Sequence, residues 1–119
     1  MTALRQGGVF ASGPVVLRDA ALFTDLYEIT MAASYFRERM TATATFSLFV
    51  RALPPGRSFL VTTGLDDALA FLEGFRFTQA ALDYLRSLGR FDADFLAYLR
   101  DLRFTGDVRA IPEGTKRFT

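Results

Sequence analysis

Cysteine, histidine and tryptophan are all absent from this chain of 119 residues. Without cysteine the chain can form no disulfide and offers no thiolate, a composition that fits a cytoplasmic protein. Without histidine it has no imidazole to serve as a general base, a metal ligand or a phosphate carrier. These absences exclude cysteine-dependent and histidine-dependent chemistry by the chain itself.

Other features with a recognisable function are also missing. No continuous apolar run has a length near the roughly 20 residues that are needed to span a bilayer. Residues 1–18 lack the continuous apolar region of a signal peptide. The 14 basic residues are interspersed with 13 acidic ones, so no concentrated basic face for nucleic acid is expected. Neither standard glycine-rich phosphate loop occurs. We therefore expect neither a nucleic acid nor a membrane as partner.

Apolar residues are plentiful, at 50% of the chain with 13 phenylalanines, so a core can form. The length allows one domain at most. Residues 1–20, which contain Gly7, Gly8 and Pro14, are interpreted as a loose N-terminal lead-in. Residues 21–119 are interpreted as the domain.

The first helix is predicted from residue 25 by its cap and by the spacing of its apolar residues. Asp25 suits the N-cap, because a carboxylate there can accept from the unpaired N–H groups of the first turn. Glu28, three residues later, completes the pattern of a capping box. Arg37 suits the negative C-terminal end. The predicted buried stripe consists of Leu26, Ile29, Thr30, Ala33 and Phe36.

Two strands are predicted next. Residues 41–51 alternate strictly between two faces and are rich in β-branched and aromatic side chains, which is typical of a strand. Residues 54–56, Pro-Pro-Gly, predict a turn. Residues 58–63 form a second short alternating run, so the two strands are candidates for a hairpin.

Three helices and a strand complete the prediction. A helix of about ten residues follows Gly64 and ends at Gly74, and a second begins at the N-cap Thr78 and ends at Gly89. Asp92 is the predicted N-cap of the third. Their stripes contain Leu65, Ala68, Leu69 and Leu72, then Ala81, Leu82, Leu85 and Leu88, then Phe95, Leu96, Leu99 and Leu102. Residues 108–112 predict a last strand, so the pattern is that of an α+β fold.

Four segments, taken in order, resemble the N-terminal part of nicotinate phosphoribosyltransferases. They are TDLYEITM at 24–31, FSLFVR at 46–51, GL at 64–65 and VRAIPEG at 108–114. The resemblance implies the N-terminal domain of a type II phosphoribosyltransferase, incomplete at its C-terminal end, because family members are several times longer. The polar ending at 116–119 departs from the apolar strand expected there, which indicates a truncation or a frame change.

Three residues are candidates for substrate binding. A tyrosine offers a large flat face with few torsions, and the resemblance implies that Tyr27 covers the nicotinate ring across a dimer interface. The resemblance also implies that Arg51, whose guanidinium can fork onto an anion, approaches phosphate. Asp25 is a third candidate, which would position Tyr27 or touch substrate. The alternatives are ordinary: a packed tyrosine, a solvated arginine and a helix cap.

The resemblance implies an enzyme, a ligase or glycosyltransferase of NAD salvage, acting as a homodimer. It would form nicotinate mononucleotide from nicotinate and phosphoribosyl diphosphate, with ATP hydrolysis and Mg²⁺. No catalytic residue or metal ligand is assigned here, and the family's phosphohistidine would lie beyond Thr119, so the chain alone is expected to be inactive. A relative acting on nicotinamide or quinolinate remains open, as does a non-catalytic fragment or pseudo-enzyme that pairs with other subunits.

Overall fold

The computed structural model describes residues 20–117, and the predicted lead-in lies almost wholly outside them. Four α-helices and a two-stranded sheet make up the regular structure, so a helix-and-sheet domain of the α+β kind is formed. In chain order the elements are a 3-10 turn at Ala20–Leu22, α1 at Leu26–Arg37, β1 at Leu60–Val61, α2 at Leu65–Glu73, α3 at Gln79–Ser87, α4 at Ala93–Asp101 and β2 at Lys116–Arg117.

The hydrophobic core lies between α3 and α4, with α1 packed beside them. The predicted stripes of α3 and α4 are confirmed, because their apolar residues recur every three or four positions and fall on one face. Leu85 at the centre is fully buried, with 0% of its surface exposed. The buried residues are Ala21, Ile29, Phe77, Ala81, Leu82, Leu85, Phe95, Leu96 and Leu99.

The predicted stripe of α1 is only partly correct. Ile29 is buried, but Leu26, Thr30 and Phe36 are exposed. The face of α1 that meets the core is narrow. It consists of Ile29, which is buried, and the small residues Ala32 and Ala33, which pack against the core. The neighbouring elements thus cover only part of the apolar stripe that the sequence of α1 provides.

The two ends of α3 behave as predicted. The Thr78 hydroxyl accepts a hydrogen bond from the Ala81 N–H at 3.2 Å, which satisfies a donor of the first turn. Beyond the other end, Gly89 has a φ of 64°, a left-handed conformation that glycine adopts without a steric cost. Local sequence signals therefore set both boundaries of this helix.

Thr78→Ala is expected to lower the free energy of unfolding by about 1 kcal/mol, because the cap acceptor is lost. Urea unfolding followed by far-ultraviolet circular dichroism measures this change. Thr105→Ala, at an exposed threonine outside any helix, is the matched control and should change stability little. Equal losses in the two variants would show that the cap contributes nothing.

The aspartates predicted as caps do not act in that way. Asp25 and Asp92 occupy the N-cap positions of α1 and α4, but neither side chain makes a cap hydrogen bond. The backbone carbonyl of Asp25 accepts from the Glu28 N–H at 3.0 Å instead. The Asp92 carboxylate lies 3.7 Å from the guanidinium of Arg37, an exposed ion pair between α1 and α4. The capping role predicted for the Asp25 carboxylate is therefore wrong.

The predicted strand at residues 41–51 is also wrong. These residues have no regular structure, and all of them are exposed. The predicted hairpin with residues 58–63 does not form, since only Leu60 and Val61 of that run belong to a strand. A strand requires a neighbour to pair its backbone groups, and alternation along the sequence does not supply one.

The sheet instead joins β1 to β2, antiparallel, with Leu60 opposite Arg117 and Val61 opposite Lys116. The strand predicted at 108–112 is therefore wrong, because those residues are irregular and the pairing begins at Lys116. The turn before β2 is held by Thr62, whose hydroxyl donates to the Pro112 carbonyl at 2.7 Å. Lys116 and Arg117, which belong to the polar ending that departs from the expected apolar strand, are the residues that pair with β1.

A side chain distant in sequence supports the start of α2. Gly64 precedes the helix with a φ of 90° and has no side chain to cap it. The Glu113 carboxylate accepts a hydrogen bond from the Leu65 N–H. Because an anion is favoured at a helix N-terminus, this contact also ties the turn before β2 to α2.

Candidate functional site

Tyr27 lies one residue inside α1, and its side chain points away from the core. It is 60% exposed, and Met31 and Tyr35 follow at intervals of four residues with 45% exposure each. Residues four apart lie on the same face of a helix. We call Tyr27, Met31 and Tyr35 the outer face of α1.

The ring of Tyr27 contacts no other aromatic ring within residues 20–117. Packing of Tyr27 on another aromatic ring is thus not observed among these residues. The phenol ring is positioned by a regular helix yet remains open on its outer side. Such a ring can stack on a flat aromatic ligand or on a partner chain.

Asp25 stands two residues before Tyr27, at the start of the same helix. Its side chain is exposed and makes no cap hydrogen bond. The two candidates therefore lie two residues apart in the chain, Asp25 at the N-cap and Tyr27 in the first turn of α1. The carboxylate retains its capacity to accept hydrogen bonds from a ligand or a partner chain.

Arg51 is not brought to the same place by any direct contact. It lies in irregular, exposed chain rather than at the end of a strand, as had been predicted. Within the described part of the chain, no hydrogen bond or ion pair joins it to Asp25 or Tyr27. The turn that follows is confirmed, since the Arg57 N–H donates to the Pro54 carbonyl at 3.1 Å.

An open groove of about 320 Å³ runs along the inner side of α1. Thr24 and Glu28 are its polar residues, and none of the three predicted site residues lines it. Its apolar lining comes from Ala20, Ala21, Phe23, Ile29, Ala32, Phe71, Phe75, Phe77, Leu99 and Leu102. Sequence reasoning assigned the phenylalanines to the core, and nothing in their spacing distinguishes a groove wall from a core.

A smaller groove of about 260 Å³ lies between α3 and α4, bordered by Arg86 and Arg100. Both guanidinium groups are already paired. Arg86 lies 2.6 Å from the Asp83 carboxylate, and the hydrogen bond from Arg100 to Asp101 holds the pKa of that carboxyl below its ordinary value. These internal partners reduce the capacity of the groove to bind an anion.

Residues 20–117 contain neither a cluster of metal ligands nor a membrane-spanning helix. No group of three or more acidic, histidine or cysteine side chains there is arranged to hold a metal ion. No helix in the same range is long and apolar enough to cross a membrane. The candidate site is therefore described by its exposed ring, carboxylate and guanidinium alone.

Comparison with known proteins identifies what the chain is similar to. The family model for the nicotinate phosphoribosyltransferase (NAPRTase) N-terminal domain matches residues 22–119. Nicotinate phosphoribosyltransferase pncB2 of Mycobacterium tuberculosis is 58% identical over 98 residues, which cover 82% of this chain and 21% of that protein. The mouse nicotinate phosphoribosyltransferase is 42% identical over 112 residues, covering 91% of this chain and 20% of that protein.

A further relative, nicotinate phosphoribosyltransferase pncB1 of Mycobacterium tuberculosis, is 38% identical over 100 residues, or 83% of this chain and 22% of that protein. No solved structure matches the chain significantly. The chain thus spans about a fifth of the length of the curated relatives that it matches.

Proposed function

This chain belongs to the nicotinate phosphoribosyltransferase family, and we propose that it acts as the N-terminal part of an enzyme that joins nicotinate to phosphoribosyl diphosphate. Membership confirms the resemblance drawn from the four segments. The structural observation that carries the functional proposal is the exposed Tyr27 ring on the outer face of α1. The products are nicotinate mononucleotide and diphosphate, a step of NAD salvage.

The proposed chemistry is a displacement at the anomeric carbon of the sugar. The nicotinate ring nitrogen supplies the electron pair of the new C–N bond, while the C–O bond to diphosphate breaks and its electron pair leaves with the diphosphate. Such a reaction depends on the alignment of two bound partners and on the stabilisation of negative charge on the leaving group. We propose nicotinate as the acceptor, with nicotinamide and quinolinate as the alternatives.

Tyr27 is proposed to cover the nicotinate ring in the site of a second subunit, within a homodimer. A ring that belongs to a rigid helix and is open on its outer side is suited to this task, because little entropy is lost when it stacks. Asp25 is proposed to assist in the same place. The Asp25 carboxylate makes no capping hydrogen bond to α1, and this supports the assignment because the carboxylate can then accept hydrogen bonds from a ligand.

Arg51 is proposed to bind phosphate of the sugar diphosphate. It is exposed, and among residues 20–117 no carboxylate pairs with its guanidinium group, which carries five N–H donors. A planar guanidinium can make two parallel hydrogen bonds to one phosphate group. The assignment supplies positive charge where the leaving group becomes more negative.

ATP, Mg²⁺ and the type II phosphoribosyltransferase architecture belong to this proposal as properties of the intact enzyme. The described residues do not fit a metal site, because they offer no suitable group of ligands. No step is therefore assigned to a metal on this chain. We place these groups, and any phosphohistidine of a coupled ATP hydrolysis, on the part of the longer family members that this chain does not span. We further propose a cytoplasmic location, which the lack of cysteine supports.

A chimera tests the whole proposal. Residues 22–119 replace the matched part of the 58%-identical relative, and formation of nicotinate mononucleotide is followed with each substrate omitted in turn. We expect product only with the complete mixture, none from the 119-residue chain alone, and less with nicotinamide or quinolinate. A folded chimera that binds neither substrate would overturn the proposal.

The second candidate function is a non-catalytic partner that pairs with complete subunits. The exposed outer face of α1 favours this role equally well, because an apolar and aromatic helix face is suited to a protein interface. Mixing the chain with the intact relative distinguishes the two. A stable mixed assembly together with an inactive chimera would favour the partner over the enzyme part.

Arg51→Ala in the chimera is expected to raise the KM for phosphoribosyl diphosphate about tenfold, because a charged hydrogen bond contributes about 1.5 kcal/mol. The KM for nicotinate should change less than twofold. Arg76→Ala, at an exposed arginine between α2 and α3, is the matched control. Equal losses for both substrates would contradict the phosphate role.

A further inference from the structure

The C-terminal end of α1 is attached to α4 by aromatic rings. The ring centroid of Phe36 lies 4.9 Å from that of Tyr98 and 5.7 Å from that of Phe95, with the ring planes tilted by 35° and 51°. These separations fall within the about 4.5–7 Å of favourable aromatic pairs. Phe95 is buried in the core, whereas Phe36 and Tyr98 keep 37% and 46% of their surface exposed. We call Phe36, Phe95 and Tyr98 the aromatic clamp.

The rest of the attachment of α1 is slight. Among the described residues of the helix only Ile29 is buried, and the small side chains of Ala32 and Ala33 pack beside it. The ion pair between Arg37 and Asp92 is 3.7 Å long and largely exposed, so water screens it and it stabilises the contact little. Ile29 and the aromatic clamp are therefore the main contacts that hold the helix.

Two contacts fix the direction of a helix, whereas a single contact leaves a pivot. Ile29 and Phe36 are seven residues apart, which is about two turns or 10 Å along the axis, and they lie on the same side of α1. Tyr27 stands two residues before Ile29, a rotation of about 200°, so its side chain leaves from the opposite side of the helix.

This arrangement makes the position of the Tyr27 ring sensitive to the clamp. Because a helix with its side chains is about 10–12 Å across, a tilt of about 10° around Ile29 moves a ring on the far side by about 2 Å. Misplacement by about 1 Å can reduce a reaction rate by a factor of about 100. A modest change in the direction of α1 is therefore enough to disturb a stacked ligand.

We propose that Phe36 and Tyr98 are positioning residues for the nicotinate ring, because they fix the direction of the helix that presents Tyr27. The inference rests on the proposed function of Tyr27. Neither Phe36 nor Tyr98 touches substrate in this scheme. The clamp acts through α1 alone, so its loss should affect nicotinate and leave phosphoribosyl diphosphate nearly unchanged.

Phe36→Leu in the chimera is expected to raise the KM for nicotinate about threefold to tenfold, with a change of less than twofold for phosphoribosyl diphosphate. Phe91→Leu is the matched control. The Phe91 ring lies 5.8 Å from that of Phe95, but it makes no ring contact with Phe36 among residues 20–117. Phe36→Tyr keeps the ring and should retain the original KM. An equal rise in Phe36→Leu and Phe91→Leu, at equal helix content by circular dichroism, would overturn the proposal.

A double variant separates positioning from general stability. In the Tyr27→Ala background, Phe36→Leu should change the nicotinate KM less than twofold, because the ring that the clamp positions is already gone. An undiminished effect in that background would overturn positioning through Tyr27. If Tyr27→Ala by itself leaves the nicotinate KM unchanged, the proposed function of Tyr27 is wrong, and the direction of α1 is then tested without activity.

That test uses spin labels in the 119-residue chain, where the absence of native cysteine makes labelling specific. Nitroxides are attached at Tyr27→Cys on α1 and Tyr84→Cys on α3, both exposed positions. Double electron–electron resonance should give a distance distribution that is broader by about 2 Å in Phe36→Leu, as a tilting helix requires, and unchanged in Phe91→Leu. A distribution that Phe36→Leu leaves unchanged would overturn the proposal, whatever the KM values.

Discussion

Leu85→Ala is expected to lower the free energy of unfolding by about 3 kcal/mol, within the 2–5 kcal/mol typical of a buried leucine. Leu85 is the one large side chain with no exposed surface among the described residues, and it lies where α3 packs on α4. Its removal loses apolar burial and leaves a cavity that the neighbouring side chains fill only in part. The unfolding free energy of a small domain is only about 5–15 kcal/mol, so this loss removes a large share of its stability.

Leu88→Ala is the matched control for this result. It is the same substitution one turn later, at a residue that is only partly buried against the core. Urea unfolding followed by helix circular dichroism should give a much smaller loss, about 1 kcal/mol. A Leu85→Ala loss no larger than that of Leu88→Ala would show that the α3–α4 contact is not the stabilising core of this domain.

Tyr27→Ala in the chimera is expected to raise the KM for nicotinate about fivefold to tenfold. The reason is the loss of one stacked aromatic face, worth about 0.5–1.5 kcal/mol beyond its buried area. The KM for phosphoribosyl diphosphate should stay within a factor of two, because the phenol is not proposed to touch phosphate. Tyr27→Phe should retain most of the nicotinate affinity, since the flat face remains.

Tyr35→Ala provides the control for a general effect of the outer face of α1. Tyr35 lies two turns further along this face and has 45% exposure. If its replacement raises the nicotinate KM as much as Tyr27→Ala does, the ring of Tyr27 has no special position. If neither variant changes the KM, stacking by this face is excluded.

The family and the positions of the four helices along the chain are the parts that the sequence predicts well. Short-range signals determine α3, because the Thr78 hydroxyl caps the residues beside it and the apolar spacing selects one face. The family can likewise be identified from the sequence, because four segments in order carry the residues typical of it. The position of Tyr27 in the first turn of α1 was also predicted correctly, because this turn forms from residues that are neighbours in the sequence.

The sheet and the exposure of side chains could not be predicted in this way. Residues 41–51 alternate as a strand does, yet they remain irregular, whereas Lys116 and Arg117, with no such pattern, pair with β1. Strand formation requires a partner that is distant along the chain, and the entropy of bringing the two together is not encoded by local pattern. The support of α2 by Glu113 has the same long-range origin.

The sequence by itself determined the boundaries of α3, the apolar residues of α3 and α4 that build the core, and the family to which the chain belongs. Only the tertiary structure decided that β1 pairs with β2, that the Asp25 carboxylate is not a cap, and that the Tyr27 ring and residues 41–50 are exposed. The physical reason is range: caps and helical stripes depend on residues within about one turn, whereas burial and strand pairing depend on which distant surfaces meet.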